Sequence, residues 1–169
     1  MELAKQWDLS AMPVYSAQFS WSKANIPTNL RGEPGRILSR WSEPVWGERV
    51  TKGKADRHFE DDLVEASVEL IQERWKMSPV PAWVTCIPSS RHPDLVPDFT
   101  QRLAAALGIP FYPAITKTRH TEKQKEMENR YNQCHNLDGA FEIKTEGVDI
   151  AGPVLLVDDV FDSGWTMTI

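Results

Sequence analysis

Two adjacent carboxylates, Asp158 and Asp159, follow directly on the apolar run Val154, Leu155, Leu156 and Val157. A run of this kind predicts a buried strand, and open α/β sheets bind their ligands at the carboxyl ends of such strands. The pair is followed by Val160 and Phe161 and then by Asp162, Ser163, Gly164, Trp165 and Thr166, small and hydroxylated for the most part. Such a loop leading into a helix start offers backbone N–H groups and two hydroxyls to an anion. Neighbouring carboxylates can accept hydrogen bonds from a cis-diol, directly or through Mg²⁺ and its waters. Diol and phosphate together imply a phosphorylated sugar. A strand ending in a merely decorative acidic turn is the bland alternative.

A second set of groups lies upstream. Ala82 to Ile87 is a short apolar run of strand type, and Pro88, Ser89, Ser90, Arg91, His92 and Pro93 form a turn-rich loop behind it. Further on, Lys117, Arg119, Lys123, Lys125 and Arg130 gather five bases in a polar segment, suited to a lid over a diphosphate. Glu122, Glu126 and Glu128 leave open a plainer reading, in which the bases pair along a solvated helix.

At residues 153–166 the sequence resembles the type I phosphoribosyltransferases, whose signature for 5-phosphoribosyl-1-diphosphate (PRPP) is four apolar residues, an acidic pair, two apolar residues, a small triplet and a Thr or Ser. Phe161 departs from the smaller aliphatic residue usual there. Residues 83–141, through Cys86 to Arg91, Leu103-Ala104, Leu107 to Pro110, Lys117, Gln124, Asn136 and Gly139 to Phe141, resemble the ComF branch of that family. The whole chain, including Arg36 to Trp41, Leu95 to Phe99 and Asp162 to Thr166, is similar to the phosphoribosyltransferase-like region fused behind some bacterial RecQ-type DNA helicases. No G-x-x-x-x-G-K-[ST] loop is present, so a helicase would have to lie elsewhere in a longer parent chain.

The resemblance implies a PRPP-binding set of Asp158, Asp159, Asp162, Ser163, Gly164, Trp165 and Thr166, with Mg²⁺ held by Asp158 and Asp159, in part through water. It implies a pyrophosphate set of Ser89, Ser90, Arg91 and Lys117, with residues 117–136 as a hood. The implied reaction passes ribose 5-phosphate to a nitrogen nucleophile and releases pyrophosphate, with Asp158, Asp159 and Asp162 as catalytic groups. Asp162 stands where the hypoxanthine-guanine branch uses an acid on the purine ring, which suggests a purine acceptor; an N-cap for the following helix explains it equally well. A non-catalytic nucleotide-sensing or docking module of a DNA helicase needs the same loops and stays open beside the transferase.

The elements that must position these groups follow from periodicity. Phe59, Leu63, Ala66, Leu70, Ile71 and Trp75 recur at helical spacing, and Ser78-Pro79 stops that helix. Val96, Phe99, Leu103 and Leu107 predict a second helix that ends at Gly108. Phe111 to Ala114 and Ala140 to Ile143 read as short strands, and Thr121 to Gln124 as a capping box. Alternating strands and helices predict an α/β fold, a parallel sheet flanked by helices, over residues 59–169. Residues 1–58 read as an irregular extension, because Pro13, Pro27, Pro34 and Pro44 interrupt every long helix there; only Val14 to Phe19 alternates as a strand does. That extension carries four of the seven tryptophans, and residues 1–60 hold nine Lys and Arg against seven Asp and Glu. Aromatics packing on the neighbouring domain is the first reading, and stacking on nucleic acid the rival.

Composition sets the outer bounds. The chain has 169 residues and 41% hydrophobic and 25% charged content, ordinary values for one globular domain plus an appendage. Its formal charge is −5, and residues 147–169 hold four Asp and no base, which disfavours a generic nucleic-acid binder. Cys86 and Cys134 match no metal spacing and read as free thiols in a reducing compartment. No stretch reaches the roughly 18 apolar residues of a membrane span, and the start lacks a secretion signal, so the cytoplasm is the expected address. Type I folds continue beyond the PRPP loop, so the chain is expected to be truncated, with an open sheet edge that favours homo-oligomers.

Overall fold

The computed structural model describes residues 7–8, 20–21, 24–25, 35–40, 43–119, 121, 136–144, 146, 151–161 and 166. The described elements are strands β1 (Trp7–Asp8), β2 (Ser20–Trp21), β3 (Ala24–Asn25) and β4 (Arg36–Ile37), then helices α1 (Trp46–Asp56) and α2 (Asp61–Glu69). A π-helical turn (Leu70–Trp75) extends α2, and β5 (Trp83–Cys86), α3 (Leu95–Leu107), β6 (Ile115–Lys117), β7 (Phe141–Ile143) and β8 (Val154–Val157) follow. The architecture is mixed α/β.

Strand β5 is the centre of the fold. It pairs in parallel with β8, in the register Trp83 with Val154, Val84 with Leu155, Thr85 with Leu156 and Cys86 with Val157. On its other edge the Val84 N–H donates to the Pro110 carbonyl at 2.9 Å, and the Tyr112 N–H donates to Val84 O at 3.0 Å. Val84 is accordingly 0% exposed. The expected strand Phe111 to Ala114 is reduced to one parallel bridge, Val84 with Phe111. Pro113 has no N–H to lend a ladder, which is the physical reason that pairing stops.

Two further expectations are corrected. Strand β7 begins at Phe141 and runs antiparallel to β6, so the described strands do not form one parallel sheet. Strand β8, expected to be buried, keeps only Leu155 inside, and Val154 is 44% exposed. Among the described residues β8 is paired on one edge alone.

The helices form where the periodicity puts them. Helix α2 buries Leu63, Val64 and Ala66, with Asp61 and Asp62 favourably placed in its first turn. The helical path ends at Trp75, where Lys76 adopts a left-handed conformation (φ 51°), two residues before Ser78-Pro79. Helix α3 buries Leu95, Val96, Thr100, Leu103 and Ala104, and Gly108 closes it at φ 73°, a conformation that costs glycine least. Phe59 and Phe99 meet edge to face at 5.5 Å, joining the start of α2 to α3. Arg102 locks the same junction: its guanidinium donates to Asp61 at 2.7 Å, to Asp98 at 2.7 Å and to the Phe59 carbonyl at 2.6 Å.

Helix α1 corrects the expectation that residues 1–58 are irregular. Its buried face is made of Gly47 and Gly53 with Val50 between them, a pattern without the large apolar residues that periodicity detects. Leu38, Trp46 and Val50 pack against Phe59, Leu63 and Leu95, so this part of the aromatic-rich segment shares the core of the following residues. Arg49 of α1 pairs with Asp62 of α2. The contact is close: a Cβ on Gly53 would lie 2.5 Å from Phe59 Cδ1 and 2.9 Å from the His58 carbonyl. The expected strand Val14 to Phe19, all of the expected capping box except Thr121, and most of the hood lie outside the described residues.

Gly53→Ala tests this packing. An exposed helical glycine gains about 1 kcal/mol of stability on such a change. Here the expected outcome is the reverse, a loss of about 1–3 kcal/mol from overpacking, measured by urea denaturation.

Candidate functional site

The parallel register of β5 and β8 determines which loops meet. The ladder continues one step past Cys86, where the Ile87 N–H donates to Val157 O at 2.9 Å. Pro88 and Asp158 therefore leave the same end of adjacent parallel strands, and the acidic pair and the Ser89 to Arg91 loop emerge together. In an antiparallel pair the two would sit at opposite ends.

The acidic pair is half-buried. The Asp159 N–H donates to Asp158 Oδ1 at 2.8 Å. The Asp158 carboxyl is pushed up to about 7 by its burial first and by the Asp159 charge second, against the opposing pull of the Asp159 amide and of Lys54. Asp159 meets Lys54, whose Nζ stands 2.8 Å from Asp159 Oδ2. Sequence reasoning did not find Lys54. The signal was its place four residues after Val50 on a helix whose glycine-rich face concealed it.

Both acids also line a cavity of about 530 Å³, together with Leu155 and Val157 of β8, Leu63, Leu70 and Trp75, and Phe99 and Leu103 of α3. Ser89, Ser90, Arg91 and Lys117 do not line it. The acids thus share a cavity with apolar side chains of the helices, which the sequence did not indicate.

The expected anion-binding set is brought together in part. Ser89 Oγ accepts from the Arg91 and His92 amides, both at 3.3 Å, so this hydroxyl shapes its own loop. Ser90 and Arg91 are exposed. Lys117 ends β6, with its ammonium 5.9 Å from the centre of the Phe141 ring. Its pKa is lowered by partial burial first, then by Arg119 and by Arg91. Lys117, at a strand end, therefore feels bases from two loops, positive charge that an anion would relieve. The Arg119 guanidinium donates to the Asp138 carbonyl at 2.5 Å, and the Thr118 hydroxyl donates to Gly139 O at 2.9 Å, which ties the start of the expected hood to the turn before β7.

Asp162, Ser163, Gly164 and Trp165 lie outside the described residues, as do Lys123, Lys125 and Arg130; Thr166 is half-buried. Cys86 is a free, buried thiol whose pKa burial raises, so its sulfur is a core group; Cys134 lies outside the described residues. Among the described residues no cluster of three or more His, Cys, Asp or Glu could hold a metal ion, and no helix is long and apolar enough to cross a membrane. The Asp158 and Asp159 pair nevertheless fits a hard, oxygen-seeking cation in kind: two adjoining carboxylates, one of them starved of water and repelled by the other.

The raised Asp158 pKa makes a stability prediction. The folded chain holds this proton to about pH 7, whereas an unfolded Asp releases it near 3.8. The contribution is therefore complete below the unfolded value, declines as pH rises and is gone above about 7. Between pH 5 and 8 the wild-type chain should lose stability relative to Asp158→Asn by on the order of a few kcal/mol, read from denaturant midpoints at each pH. Parallel pH profiles for the two proteins would show that Asp158 titrates normally.

Comparison of the chain with protein-family models, with curated proteins and with solved structures returned no match.

Proposed function

We propose that this chain is a phosphoribosyltransferase-type domain that binds PRPP at the carboxyl ends of β5 and β8. The single observation that carries the reading is the parallel β5–β8 register, which sends the Asp158-Asp159 turn and the Ser89 to Arg91 loop out of one end of the sheet. Two carboxylates for a ribose diol and a basic group for a diphosphate then stand on neighbouring loops. The nearness of Arg91 and Arg119 to Lys117 adds support, because their charges oppose the Lys117 proton and a multiply charged anion would offset that.

In this reading Asp158 and Asp159 accept hydrogen bonds from the ribose hydroxyls and orient the sugar. Positive charge developing at the anomeric carbon is stabilised by their field. Arg91 and Lys117 take the negative charge that accumulates on departing pyrophosphate, with Ser90 as a further donor at the loop. Magnesium held by the acidic pair would neutralise part of the diphosphate charge. Asp162, Ser163, Gly164 and Trp165 complete the proposal as the ribose-phosphate loop, with Asp162 exchanging a proton with the ring nitrogen of a purine acceptor. A nucleotide-sensing module of a DNA helicase would bind PRPP at the same groups without turnover.

The test is calorimetric titration of PRPP into the wild-type chain, with and without Mg²⁺, and into two double variants. Arg91→Ala with Lys117→Ala should weaken binding about 10- to 100-fold, the loss expected for two charge-assisted contacts. Asp158→Asn with Asp159→Asn should remove the Mg²⁺ dependence. Unchanged affinity in both would defeat the proposal. Release of pyrophosphate on adding a purine base separates transferase from sensor.

A further inference from the structure

Asp158 and Asp159 offer four carboxylate oxygens, and two of them already have partners within the chain. Asp158 Oδ1 accepts the Asp159 amide at 2.8 Å. Asp159 Oδ2 takes the Lys54 ammonium at 2.8 Å, with the Lys54 side chain 26% and that of Asp159 14% exposed. An ion pair so far withdrawn from water is screened little by salt, and each charge dominates the field at the other. Lys54 is also held from behind. It follows Gly53, which is pressed against Phe59, so its backbone is anchored in the core while its side chain reaches the acid.

A divalent cation bound by Asp159 would stand within a few ångströms of that ammonium. The two positive charges would repel across a half-buried site, and they would compete for the same carboxylate. We propose that Lys54 is a specificity-determining residue of the acidic pair, a built-in counter-cation that opposes divalent metal at Asp159. Metal is taken up only as Lys54 leaves Asp159, and without metal Lys54 keeps the Asp159 charge paired. The inference rests on the reading of Asp158 and Asp159 as a cation site, and it makes α1 part of that site.

The experiment follows Mn²⁺ binding to the 169-residue chain by electron paramagnetic resonance of the free ion. Lys54→Met keeps the aliphatic stem and removes the charge, and it should tighten Mn²⁺ binding roughly tenfold, as expected on removing a nearby repelling charge from a partly buried site. Lys54→Gln, as a second neutral variant, should do the same, whereas Lys54→Arg should stay near the wild-type affinity. Lys52→Met makes the same charge change on the same helix at a side chain 70% exposed and 3.9 Å from Asp56, and it should leave affinity unchanged. Thermal melts identify any variant that fails to fold.

Equal or weaker binding in both neutral Lys54 variants would overturn the inference, since Lys54 would then be neutral toward the metal or help to hold it. Asp158→Asn with Asp159→Asn separates the two levels of the argument. If that double variant abolishes Mn²⁺ binding and the Lys54 variants do not alter it, the cation site stands and the role of Lys54 falls. If no protein binds Mn²⁺, or if the double variant binds as wild type does, the reading of the acidic pair falls and the inference with it.

Discussion

The parallel pairing of Trp83–Cys86 with Val154–Val157 is the constraint on which the other arrangements depend. Side chains alternate along a strand, so a slip of one residue in this register would turn Leu155 out of the core and bring Val154 in. It would also shift the acidic turn relative to the Ser89 loop by the same step. The register is fixed by packing on both sides of β5. Val84, Ala104 and Leu155 form one buried cluster, which Ile71, Trp75, Leu107 and Phe111 enclose. The hydrophobic face that keeps the strands aligned thus also determines where the polar loops leave the sheet.

Two groups of charges each hold one residue of shifted pKa, the acidic pair after β8 and the bases around Lys117 at the end of β6. Asp158 carries a raised pKa because burial and Asp159 outweigh the cation beside it. Lys117 carries a lowered pKa because partial burial, Arg119 and Arg91 all oppose its proton. Each shift has the sign that a bound opposite charge would reverse. Burial is the first cause of both shifts, and water that would screen an exposed ion pair screens these groups less.

How far the sequence could be read depended on the kind of signal each element carries. The helix from Asp61 to Trp75 and the helix from Leu95 to Leu107 with its Gly108 stop bury apolar residues at helical spacing, and β5 and β8 are short apolar runs, so all four were legible as elements, although β8 keeps only Leu155 inside. Helix α1 was not, because close approach through Gly47 and Gly53 replaces bulk on its buried face. Phe111 to Ala114 has strand composition, yet Pro113 removes the donor that a second ladder step needs, and composition does not weigh one missing N–H. The acidic pair was visible as an adjacent pair after an apolar run. Lys54 was hidden because its contact joins positions far apart in the chain, and its one local signal, the spacing from Val50, lay on a helix that glycines concealed.

The position of Lys54 makes core packing and site electrostatics one problem. Arg102 on α3 grips the Phe59 carbonyl at 2.6 Å, and the Phe59 ring stands edge to face against Phe99 of the same helix. Gly53 closes on that ring so tightly that a single added carbon would collide with it, and the next residue, Lys54, reaches Asp159. Each link is short and has little room to give, because packed interiors repack between discrete arrangements rather than stretch. Arg102, Phe59, Gly53 and Lys54 thus form one unbroken run of contacts from α3 through α1 to the acidic pair. The segment that composition marked as an appendage is, at residues 46–56, the element that sets the charge balance at the end of β8.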